Sequence, residues 1–157
     1  MEFKELIQDF GARFGIEGIQ ADGDESLKLT IDDMTLEIFL APDGKTVFLC
    51  SEFGNPPPDG ESQFNQIMLK ANFLLQSTQG ATLAQNPKTN GYVLNKPVPL
   101  LGLDLDSFCE IVEAFVNQIE EWSRLLDNFR PVGEAMKTSN DETGSFVRSI
   151  ADGFIRA

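Results

Sequence analysis

Histidine is absent from all 157 residues. That absence removes the commonest general base at neutral pH, the commonest metal ligand, and every Ser–His or Cys–His nucleophile pair. Basic residues are scarce as well: 12 Lys and Arg stand against 25 Asp and Glu, a net charge of −13. A field of that sign repels phosphate backbones and anionic bilayers, so nucleic-acid and membrane binding are not expected, while a basic partner is suited. No run approaches the ~20 apolar residues of a membrane span. Residues 1–7 read Met-Glu-Phe-Lys-Glu-Leu-Ile, without a basic start followed by an apolar segment, so no secretory signal is expected. The only two cysteines, Cys50 and Cys109, each lie inside an apolar run. They read as small buried hydrophobes in a reducing cytosol, although sequence alone leaves a bridge between them open.

What is present is apolar packing material. Thirteen phenylalanines outnumber the single Trp and Tyr, and 41% of the chain is hydrophobic, enough to bury the core of one domain. Phe3, Leu6, Ile7, Phe10 and Phe14 recur at spacings of three and four and predict a helix over residues 2–14 that stops near Gly15. Residues 17–25 are acidic and turn-like. Three strands are predicted next. Leu27, Leu29 and Ile31 alternate with polar residues as far as the turn at Asp32-Asp33. Met34, Leu36, Ile38 and Leu40 alternate as far as Pro42-Asp43-Gly44, and residues 46–53 are apolar on both faces.

Pro56-Pro57-Pro58 marks a loop, either a stiffened connection or a polyproline II ligand. A helix is predicted over residues 62–76, with Phe64, Ile67, Met68, Ala71, Leu74 and Leu75 on one stripe and Leu69 and Phe73 on the opposite side. A surface helix normally carries a single apolar stripe, so the second one reads as a subunit interface. A loop ending in Asn90-Gly91 joins two further strands, and Pro97 and Pro99 put the end of the second at an edge or outside the sheet. Phe108, Val112, Phe115, Ile119, Trp122, Leu126 and Phe129 then define a helix over residues 104–129, capped by Asp104 or Asp106 and ended before Arg130-Pro131. The fold class is α+β: a twisted antiparallel sheet of about five strands with three helices, in the order α-β-β-β-α-β-β-α. Residues 1–130 form the domain; residues 131–157 form a tail, flexible or a short amphipathic helix over 145–156.

That order of elements resembles the Tir-chaperone (CesT-like) family of type III secretion chaperones. The most specific stretch runs from Gly80 to Leu126: Gly80-Ala-Thr-Leu-Ala-Gln-Asn-Pro, then Asn90-Gly91-Tyr-Val-Leu, the Pro-Leu-Leu turn at 99–101, and Phe108, Glu113-Ala-Phe115-Val and Glu121-Trp122 on the last helix. The resemblance covers residues 3–129. It implies a cytoplasmic bacterial homodimer that binds the N-terminal segment of a secreted effector and keeps it export-competent, with no cofactor. An alternative on the same fold is a regulatory or scaffolding adaptor that binds a folded partner of the secretion system. An extended client can add hydrogen bonds at a sheet edge while its side chains fill pockets.

Candidate effector contacts are Phe3, Leu6 and Phe10 on the first helix and Phe39 and Phe48 on the minority faces of their strands; Leu69 and Phe73 are the candidate dimer contacts. The carboxylate groups at Asp22/Asp24/Glu25, Asp32-Asp33 and Glu120-Glu121 match no metal-loop spacing and read as solvated turns and helix faces. No catalytic residue and no metal ligand is expected, and Cys50 and Ser51 lack a histidine partner.

Overall fold

The computed structural model describes residues 2–16 and 26–133. The acidic stretch at 17–25, which includes Asp22, Asp24 and Glu25, lies outside the described residues, as does the helix expected over 145–156. Helix α1 spans Phe3–Phe14; strands β1 (Ser26–Ile31), β2 (Met34–Leu40) and β3 (Thr46–Gly54) follow. Helix α2 (Glu61–Ala71), a 3₁₀ turn (Phe73–Leu75), strands β4 (Thr82–Gln85) and β5 (Tyr92–Pro99), and helix α3 (Leu105–Asp127) complete the order. The five strands form one antiparallel sheet in the order β1-β2-β3-β5-β4. The expected fold class therefore stands.

The strand alternation decides which face is covered. Leu27, Leu29, Leu36, Ile38, Val47, Leu49, Leu94 and Val98 are buried and share one face. The helices pack on that side. Phe10 of α1 meets Phe108 of α3 edge-on at 5.4 Å, and Phe53 of β3 lies 6.1 Å from Trp122. Phe64 of α2 stacks on Tyr92 at 5.3 Å and meets Phe129 edge-on. Phe108, a fully buried ring, is worth roughly 3–5 kcal/mol against alanine.

Helix ends follow local chemistry. The Asp104 carboxylate accepts the Ser107 backbone N–H at 2.8 Å and caps α3. Gly60 precedes α2 at φ +84°, and a Cβ there would press on Phe129 and Pro131. Beyond α3, Gln63 clamps Val132 with two hydrogen bonds, Nε2 to the carbonyl at 3.1 Å and N–H to Oε1 at 2.9 Å, so the chain is held to the body past residue 130.

One predicted boundary is wrong. α2 ends at Ala71 and not at Gln76. The Asn72 side chain turns away to bond both backbone groups of Leu83, at 2.9 and 2.8 Å, and fastens the chain to β4. Leu74 and Leu75 both take φ of +56°, off the helix and out of the core, so the broad apolar stripe predicted through them breaks. The edge assigned to Pro97 and Pro99 is local. β5 is an interior strand, but β4 pairs with it only as far as Asn95, and both prolines sit beyond that point with their missing N–H on the open side.

Candidate protein-binding surfaces

Among the described residues, exposed apolar side chains gather at three surfaces, apart from the single Leu101 and Val132. The first lies at the C-terminal end of α1. Gly15, at φ +64°, closes the helix: its own N–H reaches Ala12 O at 3.4 Å, and that of Ile16 reaches Gly11 O at 3.0 Å. The turn leaves Phe14 57% and Ile16 36% exposed beside the buried Phe10 ring. They line a cavity of about 860 Å³ between α1, edge strand β1 and α3, floored by Leu29, Ile31, Cys109 and Val112. Its rim is charged. Arg13 pairs with Asp106 at 2.6 Å and also reaches Cys109 Sγ at 3.6 Å, while Glu110 and Glu113 add negative charge. The pair is largely exposed and contributes little to stability, but it shapes the entrance.

The second surface is the sheet face opposite the helices. Phe39 and Phe48, cross-strand partners, stack there 5.5 Å apart with planes 13° from parallel; both are half-buried, with Pro97 opposite Phe48. A cavity of about 440 Å³ on this face is lined by Thr35, Glu37, Cys50, Glu52, Asn86 and Thr89. Burial pushes the Cys50 thiol up, and Glu37 and Glu52 push it further, so it stays protonated and is a poor nucleophile. Cys109 lies across the sheet on α3, and both thiols are free.

The third surface comes from the turn after α2. Leu69 is 70%, Phe73 61%, Leu74 65% and Leu75 37% exposed. Two successive leucines in the left-handed region cost about 1–2 kcal/mol each. Bonds on either side hold them: Leu75 N–H to Asn72 O at 3.2 Å, and Gly80 N–H to Leu75 O at 2.8 Å.

The predicted contacts fall unevenly on these surfaces. Leu69 and Phe73 are solvent-facing, and Phe39 and Phe48 share one patch. Phe3, Leu6 and Phe10 are 5%, 0% and 4% exposed. Their side chains are committed to the core, which leaves them almost no surface to offer an effector. Leu74 and Leu75 were missed because each follows the apolar period of α2 and only its early stop exposes them; Phe14 was missed because it continues the stripe of α1, and Ile16 because it lies beyond the end of that helix. One signal in the sequence marks the third surface. Residues 62–103 contain no Asp or Glu, only Lys70, Lys88 and Lys96 as charges, in a chain with 25 acidic residues. Among the described residues no cluster of three or more Cys, Asp and Glu is placed to hold a metal ion, and no helix is long and apolar enough to cross a membrane.

The model of the Tir chaperone protein (CesT) family matches residues 5–123, from α1 through most of α3. The chain belongs to this family. The resemblance read from Gly80 to Leu126 thus holds, and with it the reading of the chain as a secretion chaperone. Solved structures carry the same fold. A chain of the HopA1–SchA chaperone–effector complex superposes with a TM-score of 0.65 at 18% identity, over 78% of this chain and 93% of that one. One from the ExsC–ExsE complex gives 0.67 at 20% identity, over 80% and 97%. The heterodimeric ExoU–SpcU complex from the type III secretion system of Pseudomonas aeruginosa supplies a third, with 0.62 at 17% identity over 78% and 99%. A comparison of the sequence with curated proteins gives no match.

Proposed function

We propose that this CesT-family chaperone acts in the bacterial cytoplasm as a homodimer that holds the N-terminal segment of a secreted effector in an export-competent form and catalyses nothing. The observation that carries the reading is the cavity of about 860 Å³ at the end of α1, with Phe14 and Ile16 at its mouth and edge strand β1 along one side. A closed catalytic pocket would gather polar groups. This one presents an apolar floor inside a rim of mixed charge, Asp106, Glu110 and Glu113 with Arg13 and Lys28, which fits an extended segment carrying apolar side chains. The Phe39–Phe48 stack on the other sheet face offers the same segment a second foothold. A long, wrapped contact is what a disordered client requires, because it loses chain entropy on binding and must recover it over a large surface.

The second copy belongs on the surface without acidic residues. Two chains of net charge −13 repel each other, and residues 62–103 are where they meet with no carboxylate between them. Leu69 and Phe73 are the dimer contacts in this reading, and residues 1–130 are sufficient to fold. The exposed turn also fits this arrangement, since its leucines would be covered in the dimer.

The test is calorimetric titration of an effector's N-terminal fragment into the double variant Phe14→Glu/Ile16→Glu. Affinity is expected to fall at least about tenfold with an unchanged circular dichroism spectrum. Unaltered affinity in a folded variant refutes the site.

A further inference from the structure

One cavity remains unexplained, and so does one stretch of sequence. The cavity has a volume of about 500 Å³ and lies between the C-terminal half of α3 and the loop that carries Ser77 and Gln79. Gln118, Glu121, Trp122 and Leu125 line it from α3, where steps of three, four and seven residues put them on one side of the helix. Gln118 is 6% exposed, and its Oε1 has no hydrogen-bond partner among the described residues. A buried amide oxygen left without a donor is costly, and native chains rarely keep one unless something else supplies the donor. Asn128, at one end of the cavity, already gives its amide to Arg124 O at 2.8 Å.

These walls describe an occupant. Gln118 Oε1 and the Glu121 carboxylate are two acceptors one turn apart, and a guanidinium has only donors. Arg124 also lines the cavity, so a free cation meets repulsion there. An arginine held beside apolar side chains that reach Trp122 and Leu125 overcomes it. The chain carries such a segment beyond the family match, which ends at residue 123. Residues 145–150 read Ser-Phe-Val-Arg-Ser-Ile. Alternate residues of an extended segment share a side, which groups Phe146, Arg148 and Ile150. Extended, Phe146 to Ile150 covers about 13 Å, against about 10 Å from Gln118 to Leu125 along α3.

The exit of the chain suits this occupant. Gln63 holds Val132 at the first turn of α2, and the 11 residues of α2 separate that clamp from the turn leading to Ser77. A helix of that length spans about 16 Å. The 13 steps from Gly133 to Phe146 reach about 43 Å when extended. A tether of this kind presents its own segment at about millimolar concentration, which a separate partner has to exceed.

We propose that residues 145–150 dock in the Gln118–Trp122 cavity of their own subunit, with Arg148 donating to Gln118 Oε1 and Glu121 and with Phe146 and Ile150 against Trp122 and Leu125. The docking depends on neither the effector site nor the dimer. It adds stability to a body that folds without it.

Trp122 is the single tryptophan, so its fluorescence reads the cavity in the full-length protein. The wild type is compared with Phe146→Ser/Ile150→Ser, Arg148→Glu and Glu121→Arg/Arg148→Glu by acrylamide quenching, with circular dichroism to confirm folding. The first two variants are expected to raise the quenching constant about twofold, as a docked segment opens. The charge swap is expected to restore the wild-type value, because the same pair forms with its signs exchanged. Wild-type quenching in the first two variants, both folded, overturns the docking. So does a charge swap that restores nothing. Shielding that grows with protein concentration through the micromolar range puts the segment on a second copy and overturns docking within one subunit. Shielding that appears only when an effector's N-terminal fragment is added assigns the cavity to the client and also overturns it.

Discussion

Asn72 sits between helix and sheet, and its replacement by alanine has a calculable cost. The side-chain amide donates to Leu83 O at 2.9 Å and accepts from Leu83 N–H at 2.8 Å. This reciprocal pair fixes which atom of the amide is oxygen. Leu83 is the residue of β4 opposite Leu94 of β5, and the groups that Asn72 binds point away from that partner, so the amide substitutes for one residue of a further strand. It ends α2, and it blocks part of an exposed sheet edge. In Asn72→Ala both bonds vanish and two backbone groups of a residue only 5% exposed lose their partner. At about 1 kcal/mol per bond, and more where water cannot replace it, the loss is about 2–3 kcal/mol. For a chain of this size that lowers the midpoint of thermal unfolding by roughly 5–10 °C. Differential scanning calorimetry reads it directly. Asn72→Asp separates the two bonds: it keeps the acceptor, loses the donor and sets a charge against Leu83 O, so it is expected to be at least as destabilising as alanine. A change under about 0.5 kcal/mol in Asn72→Ala would show that water replaces the amide freely and that the clamp is not what ends α2.

Three further expectations concern the surfaces and acid stability. Leu69→Asp/Phe73→Asp is expected to give a monomer by size-exclusion chromatography with stability within about 0.5 kcal/mol of the wild-type monomer, because both side chains are already exposed; a native-size dimer rules out the interface. Phe39→Glu, which breaks the stack with Phe48, is expected to weaken effector binding about tenfold with little loss of stability, and unchanged affinity in titration removes that patch from the site. The backbone N–H of Ser107 holds the Asp104 carboxyl below its ordinary 3.8, so this group stabilises the fold fully above that value and loses its contribution as pH falls through the lowered one. Asp104→Asn keeps an N-cap acceptor and is expected to flatten the acid limb of a pH series of urea midpoints; an acid limb identical to wild type would show that Asp104 does not drive it.

Element order and strand alternation were legible in the sequence because each rests on local chemistry. Asp32-Asp33, Pro42-Asp43-Gly44 and Asn90-Gly91 all fall at turns, and Leu36 and Ile38 face inward as their alternation required. The end of α2 was not legible. Leu74 and Leu75 continue the period of Phe64, Met68 and Ala71, and only the long-range bond from Asn72 to Leu83 stops the helix. The first-helix residues show the opposite limit. Phe3, Leu6 and Phe10 had the right chemistry for a client, but the sequence alone does not say that all three are buried in the core, Phe10 against Phe108 of α3. Phe14 and Ile16, one turn further on, remain outside because Gly15 bends the chain past the edge of that cover.

The central claim is that an effector segment lies in the cavity at the end of α1. It is tested most directly by hydrogen–deuterium exchange of the chaperone with and without an effector's N-terminal fragment. Protection is expected at the end of α1 and along edge strand β1. A saturated complex that leaves both segments exchanging at their free rates would contradict the claim.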